Sequence, residues 1–405
     1  MKFPEGFWWG SGSSTVTLDG AAPGSDLAAL LTEHPDLGGA GTRADGNGFA
    51  GSYLDDLALL AGHGLSHLRL TLDWTRLEPS PGHHDTATIE HLRLVLDAAR
   101  AAGLSVWGCL HDGPLPGWFS HDEHGFADSR SRGYFWARHV EFVAETFGDL
   151  IHGWVPVYEP SRWATRGWLD GLGPPGRADD AEGFAAALEA VHLASVEAAL
   201  RLKGDNHPVA CAQWIVPIYP ARPQPHDPVS VDAERAAVVV EETLRGSWLR
   251  MLTEETLQIP GRPPIAVPGA RTAFDIIGLT YRHALAVQGD GALLAYPQTL
   301  PTGSDGQAAW TEGLAIVLHR LADALPDREL LIAGIGVPTR DEGQREQYLR
   351  EILAIASEAV SGGIALRGLW WDTPIAETRG LFGADHVPRP AAALMADFAH
   401  GRRAD

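Results

Sequence analysis

Short apolar segments alternate with longer amphipathic ones along the whole chain, and this repeat of pattern constrains the fold more than any single motif. The short segments read as strands at 7–14, 65–74, 104–112, 151–159, 208–217, 274–281, 328–335 and 365–372. The longer ones read as helices at 52–63, 88–103, 133–148, 180–203, 229–256, 308–325, 342–361 and 389–400. In 88–103 the apolar residues recur at helical spacing, and Gly103 supplies the stop. The strand that follows, Leu104 to Leu110, is almost continuously apolar, as a strand covered on both faces must be. Eight such units in series predict an α/β fold of the closed, parallel (β/α)8 TIM-barrel type. An open doubly wound sheet would want a glycine-rich phosphate turn after the first strand, and Gly10-Ser11-Gly12-Ser13 lacks that spacing. Pro/Gly-rich stretches at 171–177, 218–228, 259–270 and 299–306 read as loops, and none reads as a linker. Residues 1–405 are therefore expected to form one domain, a length within the range of such barrels.

Charge and cysteine content narrow the function classes. A formal charge of -21 repels nucleic acid and anionic lipid, and no basic stripe offsets it. No unbroken apolar run of spanning length occurs, so no membrane segment is expected. Met1-Lys2-Phe3-Pro4-Glu5 lacks the basic and apolar regions of a signal peptide, and a cytoplasmic location is expected. Cys109 and Cys211 sit in strand-like apolar runs and read as core thiols rather than a disulfide. Two thiols make a poor metal site, so neither a metal nor another cofactor is expected. The sequence does not set an oligomeric state. Five of the 14 tryptophans, Trp74, Trp163, Trp214, Trp370 and Trp371, fall at strand ends, where indole faces can stack on sugar rings.

Barrel chemistry collects at the C-terminal ends of the strands. The fourth strand ends in Tyr158-Glu159-Pro160. A carboxylate at the tip of a buried strand needs partners or an altered protonation equilibrium. Glu159 thus reads as catalytic, the structural alternative being a helix cap or a pair with Arg162. Arg69 lies inside the second strand, where a charge must be paired or face an anionic site. His111 and Asp112 end the third strand and Trp370-Trp371-Asp372 the eighth, in positions suited to sugar hydroxyls.

These residues carry a resemblance. Phe3-Pro4 with Phe7-Trp8-Trp9-Gly10, Tyr53-Leu54-Asp55-Asp56, Leu68-Arg69-Leu70 and Trp74-Thr75-Arg76-Leu77-Glu78-Pro79 resemble signatures of family 1 glycoside hydrolases, the β-glucosidase family. His111 with Leu115-Pro116, Phe147-Gly148-Asp149, Tyr158-Glu159-Pro160, Asp341 with Arg345 and Tyr348-Leu349, and Arg367-Gly368-Leu369-Trp370 continue it in order. The resemblance implies a barrel, no cofactor, a sugar-containing ligand, and Glu159 as acid/base. Retaining β-glycosidases add a nucleophilic carboxylate about 5–5.5 Å from the acid/base. The family's Ile-Thr-Glu-Asn-Gly turn is here Ile332-Ala333-Gly334-Ile335-Gly336, which puts Gly334 at the nucleophile position. Within six residues of it the only acid is Glu329, at the start of the strand.

Sugar-reading positions depart as well. Thr17 aligns with the family's glutamine, Tyr158 with the asparagine before the acid/base, and Thr280-Tyr281-Arg282 with an Asn-Tyr-Tyr. The loop after the eighth strand is short and keeps Glu377. The expected function is a β-glycosidase-like enzyme acting on a β-glycoside or related metabolite. Glu159 is its general acid/base, working by an inverting or transfer mechanism. Inversion needs a second carboxylate about 6.5–9.5 Å away, and Asp372, Asp112 and Asp19 are candidates. Arg69, His111, Tyr158, Thr17, Tyr281, Trp370, Trp371 and Glu377 are candidate substrate contacts. The alternative is an inactive relative that binds a carbohydrate or other small ligand.

Overall fold

The computed structural model describes residues 1–37, 46–205, 207–224, 227–303 and 305–402. Positions 225, 226 and 304, inside the expected loops at 218–228 and 299–306, lie outside the described residues. Every expected strand forms: β1 Trp8–Ser13, β2 His67–Thr71, β3 Ser105–His111, β4 Gly153–Val157, β5 Ala210–Trp214, β6 Ile276–Thr280, β7 Glu329–Ile335 and β8 Leu366–Asp372. These are the eight parallel strands of a (β/α)8 barrel.

The helices include α1 Thr15–Asp19, α2 Asp26–Glu33, α3 Phe49–Gly62, α4 Thr86–Ala101, α5 Ala137–Phe147, α6 Pro160–Trp168 and α7 Ala181–Leu202. They continue with α8 Val231–Glu241, α9 Ser247–Glu254, α10 Glu312–Ala324, α11 Glu342–Ser361 and α12 Pro390–Ala399. Capping side chains set several starts: Asp85, Asp180 and Asp341 accept from backbone N–H groups three residues on, at 2.7, 2.8 and 3.1 Å. The single helix expected over 229–256 is instead divided by a π-helical turn, Glu242–Gly246. There the Glu242 carboxylate folds over Gly246, in the space a Cβ would take. Helix α7 is long and apolar enough on average to cross a membrane, although it holds no continuous apolar run; 61% of that window is buried, so its apolar side is core.

The chain groups into two compact units. The first, Trp9–Gln213 with Thr272–Ile276, carries β2 to β4 and most of β1 and β5, with β1 to β4 paired in sequence order. Bulk alternates across β3 and β4, where Trp107 stands opposite Gly153 and Gly108 opposite Trp154. A Cβ on Gly108 would lie 2.7 Å from the Trp154 ring, and one on Gly153 would lie 2.6 Å from the Trp107 ring. Both indoles are fully buried and have nowhere to move. Gly108→Ala is therefore expected to destabilise the fold by about 1–3 kcal/mol, the usual cost of overpacking. Urea unfolding would check it, and an unchanged midpoint would mean that the Trp154 ring yields freely.

The second unit comprises Met1–Trp8, Trp214–Arg271 and Ile277–Asp405 and carries β7, β8 and most of β6. It also has a small sheet of Ile218–Pro220, Ala284–Val287 and Leu293–Tyr296. The parallel pairing of β7 with β8 shifts register between Ile332 and Ile335. That irregularity brackets Gly334, and such bulges re-aim the residues beside them.

Candidate active site

In the first unit, Glu159 follows β4 and precedes Pro160, the first residue of α6. Its backbone is left-handed, with φ 52° and ψ 52°, a conformation that costs a non-glycine residue about 1–3 kcal/mol and that clusters at functional sites. Two contacts impose it. The Glu159 N–H donates to the Ala212 carbonyl on β5 at 2.7 Å, and Pro160 starts the helix with its fixed φ. The side chain is buried, and its Oε2 accepts from Arg162 Nη1 at 2.9 Å. The pair with Arg162, raised above as the structural alternative, thus exists alongside the strained backbone.

Arg69, in the middle of β2, is buried and compensated from two sides. Its Nη1 lies 3.6 Å from Asp112 Oδ2, and its guanidinium carbon lies 3.6 Å from the centre of the Tyr158 ring. Thr71 adds a 2.7 Å hydrogen bond to the same Asp112 oxygen. Tyr158, where the resemblance places an asparagine, thus covers the Arg69 head, while Asp112 answers its charge. Asp112 is not presented to solvent, its side chain being 2% exposed.

His111 is 2% exposed, and its ring packs edge-on against Phe126 at 5.3 Å and Trp163 at 5.4 Å. Among the described residues, no hydrogen bond of good geometry reaches either ring nitrogen. Burial pulls its pKa down to about 3, against a smaller opposing effect of the Pro114 backbone. The imidazole is therefore neutral at neutral pH and offers one donor and one acceptor. Folded His111 binds its proton less readily than the unfolded chain does. Its contribution to stability is thus present above pH 6.5 and lost as pH falls toward 3. Unfolding free energy is expected to drop between pH 7 and 4, and to drop less in His111→Gln. Parallel pH profiles for the two proteins would sink this assignment.

Thr17 and Asp19 belong to α1. The Thr17 hydroxyl lies 3.1 Å from that of Ser14, and Asp19 Oδ1 accepts from the Ala50 N–H at 3.1 Å. Burial raises the Asp19 pKa, partly opposed by that N–H and by Arg76. Trp74, expected among the indoles able to stack on sugar, is instead core. It stacks on His139 at 4.4 Å and donates to Glu78 Oε2 at 2.8 Å. Trp163 donates to the Gly113 carbonyl at 3.0 Å, which leaves its ring as a wall.

In the second unit, Gly334 accepts from the Tyr281 N–H at 2.9 Å. Tyr281 is buried, and its hydroxyl donates to the Trp310 carbonyl, so it presents no free surface. Arg282, just past β6, forms an ion pair with Asp372 at the end of β8. Trp370 and Trp371 are wholly buried, and Trp371 Nε1 donates to Arg379 O at 2.8 Å; neither indole has a face open for stacking. Glu377 is exposed and pairs with Arg340 at 2.8 Å. Arg282, Asp305, Gly336, Thr339, Arg340 and Gln344 help line a polar cavity of about 530 Å³ at the ends of β6 and β7.

Glu159, Asp112, Asp372 and Glu377 are each paired with an arginine. Sequence reasoning missed the Arg282–Asp372 pair, which joins residues 90 positions apart. It also missed Gln213, a buried polar residue next to the end of β5 whose amide donates to the hydroxyl of Ser161, two residues after Glu159. A glutamine closing the apolar run Ala210-Cys211-Ala212 was the available signal. Cys109 and Cys211 are buried and form no disulfide, and burial pushes the Cys109 thiol up to about 11. Among the described residues no group of three or more metal-ligating side chains stands together.

Comparison with known proteins agrees with the fold. The profile of Glycosyl hydrolase family 1 matches residues 1–255. Thermostable beta-glucosidase B of Thermobispora bispora is 26% identical over 402 residues, covering 91% of this chain and 81% of that protein. Beta-glucosidase A of Thermotoga maritima is 21% identical over 397 residues, covering 91% and 87%. Among solved structures, a beta-glycosidase from Pyrococcus horikoshii superposes with a TM-score of 0.84 at 21% identity, over 100% of this chain and 96% of that one. The profile match stops before β6, so likeness to the family is strongest in the part that holds Glu159.

Proposed function

We propose that this chain, which belongs to glycosyl hydrolase family 1, acts on a β-glycoside or a related sugar-containing metabolite with Glu159 as general acid/base and without a covalent intermediate at Gly334. One observation carries the reading: a glutamate at the barrel mouth is held in a strained left-handed conformation by β5 on one side and Pro160 on the other. A residue that served only to pair Arg162 would not require that backbone. The relatives named above are β-glucosidases and a β-glycosidase, which supports a β-linked sugar as the substrate class.

In this reading the Arg162 pair must open before the carboxyl hands over a proton. Arg162 is 28% exposed, so its guanidinium can be released to water. Glycine at 334 supplies no carboxylate, so water or an acceptor takes the nucleophile's role. Asp112 is committed to Arg69 and Thr71, which argues for a positioning part there. Asp372 is tied to Arg282.

The second reading, a ligand-binding relative without turnover, is favoured by the Arg69–Asp112–Tyr158 cluster, which leaves a sugar-reading arginine covered. The altered contacts at Thr17 and Tyr158 predict poor use of simple glucosides, because a site discriminates by the polar groups it presents. A panel of chromogenic β-glycosides differing in sugar tests both readings. Efficient hydrolysis of the aryl β-glucoside would refute the altered specificity. Tight binding across the panel with no release of chromophore would favour the second reading.

A further inference from the structure

A second cavity of about 530 Å³ lies within the first unit, among the start of α2, the loop after β3, and α6 with α7. Its size is that of ordinary small-molecule sites. Phe126, Trp163 and Trp168 form an aromatic wall, with Trp163 edge-on to Trp168 at 5.1 Å and to Phe126 at 5.9 Å. Ala187 and Ala190, three residues apart on α7, present a flat floor of small side chains.

Asp26 supplies the one carboxyl of this lining, which is mostly apolar but also carries Ser120, His121, His124 and Arg177. Asp26 is 4% exposed, and it is stapled to Leu115: its N–H donates to the Leu115 carbonyl at 3.0 Å, and Oδ1 accepts from the Leu115 N–H at 2.9 Å. A carboxylate can accept more hydrogen bonds than this staple uses. Burial pushes its pKa up to about 7, partly offset by nearby N–H groups and Ser120, so the protein does not fully compensate its charge. Arg177 lines the cavity but is spent on Asp180 at 3.0 Å. An aromatic wall beside one buried carboxylate is the arrangement that recognises an ammonium group attached to a ring.

We propose that this cavity binds a small aromatic amine, its ring against Trp163 and Trp168 and its ammonium at Asp26. The site is separate from Glu159, although Phe126 and Trp163 also hold the His111 ring. Isothermal titration of the full chain with tryptamine, and with its neutral analogue indole-3-ethanol, tests the proposal. Tryptamine is expected to bind at least tenfold more tightly than the alcohol. Asp26→Asn should remove that difference. Ala190→Phe, which fills the floor and leaves the staple intact, should abolish binding of both, and it keeps the test available if Asp26→Asn fails to fold. Glu159→Gln should bind tryptamine as wild type does. Equal affinity for amine and alcohol, undiminished binding in Ala190→Phe, or loss of binding in Glu159→Gln would each overturn the proposal.

Discussion

Glu159→Gln is expected to lower turnover of the true substrate by roughly 100- to 10,000-fold, the usual contribution of a positioned acid or base. Glutamine keeps the size and hydrogen-bonding reach of the side chain but cannot transfer the proton. Its amide can still meet Arg162 through the carbonyl, and the backbone hold on residue 159, from Ala212 and Pro160, does not involve the side chain. The variant should therefore fold, with a melting temperature close to wild type. The loss should shrink for a substrate whose leaving group departs without protonation, because acid assistance then has less to contribute. Steady-state rates for a poor and a good leaving group, measured on both proteins, separate the cases. Equal rates for the two proteins on the poor leaving group would mean that Glu159 only anchors Arg162.

The barrel was legible because its determinants are local and repeated. Each strand must be apolar on both faces, and each helix must carry a stripe at helical spacing, so eight strands and their helices could be placed from the sequence. The position of Glu159 was legible for the same reason, since it closely follows a buried strand. What surrounds it was not. The Tyr158 ring over Arg69 and the Arg282–Asp372 pair depend on which side chains meet in space, and no spacing along the chain encodes that. The indoles illustrate the limit. Position at a strand end applied equally to Trp74, Trp163, Trp214, Trp370 and Trp371, yet Trp163 lines a cavity while Trp74, Trp214, Trp370 and Trp371 are buried. Asp26 was passed over because Ser25-Asp26 reads as an ordinary helix start. Ser25 does cap α2, and only packing of the loop after β3 turns its neighbour into a buried carboxyl.

The largest qualitative effect concerns Gly334. Incubation with a mechanism-based fluoro-sugar is expected to leave no adduct on the β7 peptide, Glu329–Ile335, because glycine has no side chain with which to attack. The backbone there is already committed: Gly334 O accepts the Tyr281 N–H, and the β7–β8 register shifts across it, between Ile332 and Ile335. If the rest of the family's machinery works, a small external anion can take the part of the missing carboxylate. Formate or azide should then change the rate, or yield a glycosyl formate or azide, with an activated β-glycoside. Glu159 should no longer be needed to release that leaving group but should still be needed for poorer ones. Intact-mass and peptide-mass analysis reads the first arm, and product analysis reads the second. An adduct on Asp112 or Asp372 would reveal a relocated nucleophile and would require its arginine, Arg69 or Arg282, to release it. An adduct within β7 would overturn the assignment of Gly334. Indifference to anions together with tight glycoside binding would mean that the Arg69–Asp112–Tyr158 cluster has closed the sugar site to chemistry, leaving a barrel that holds its ligand and does not cleave it.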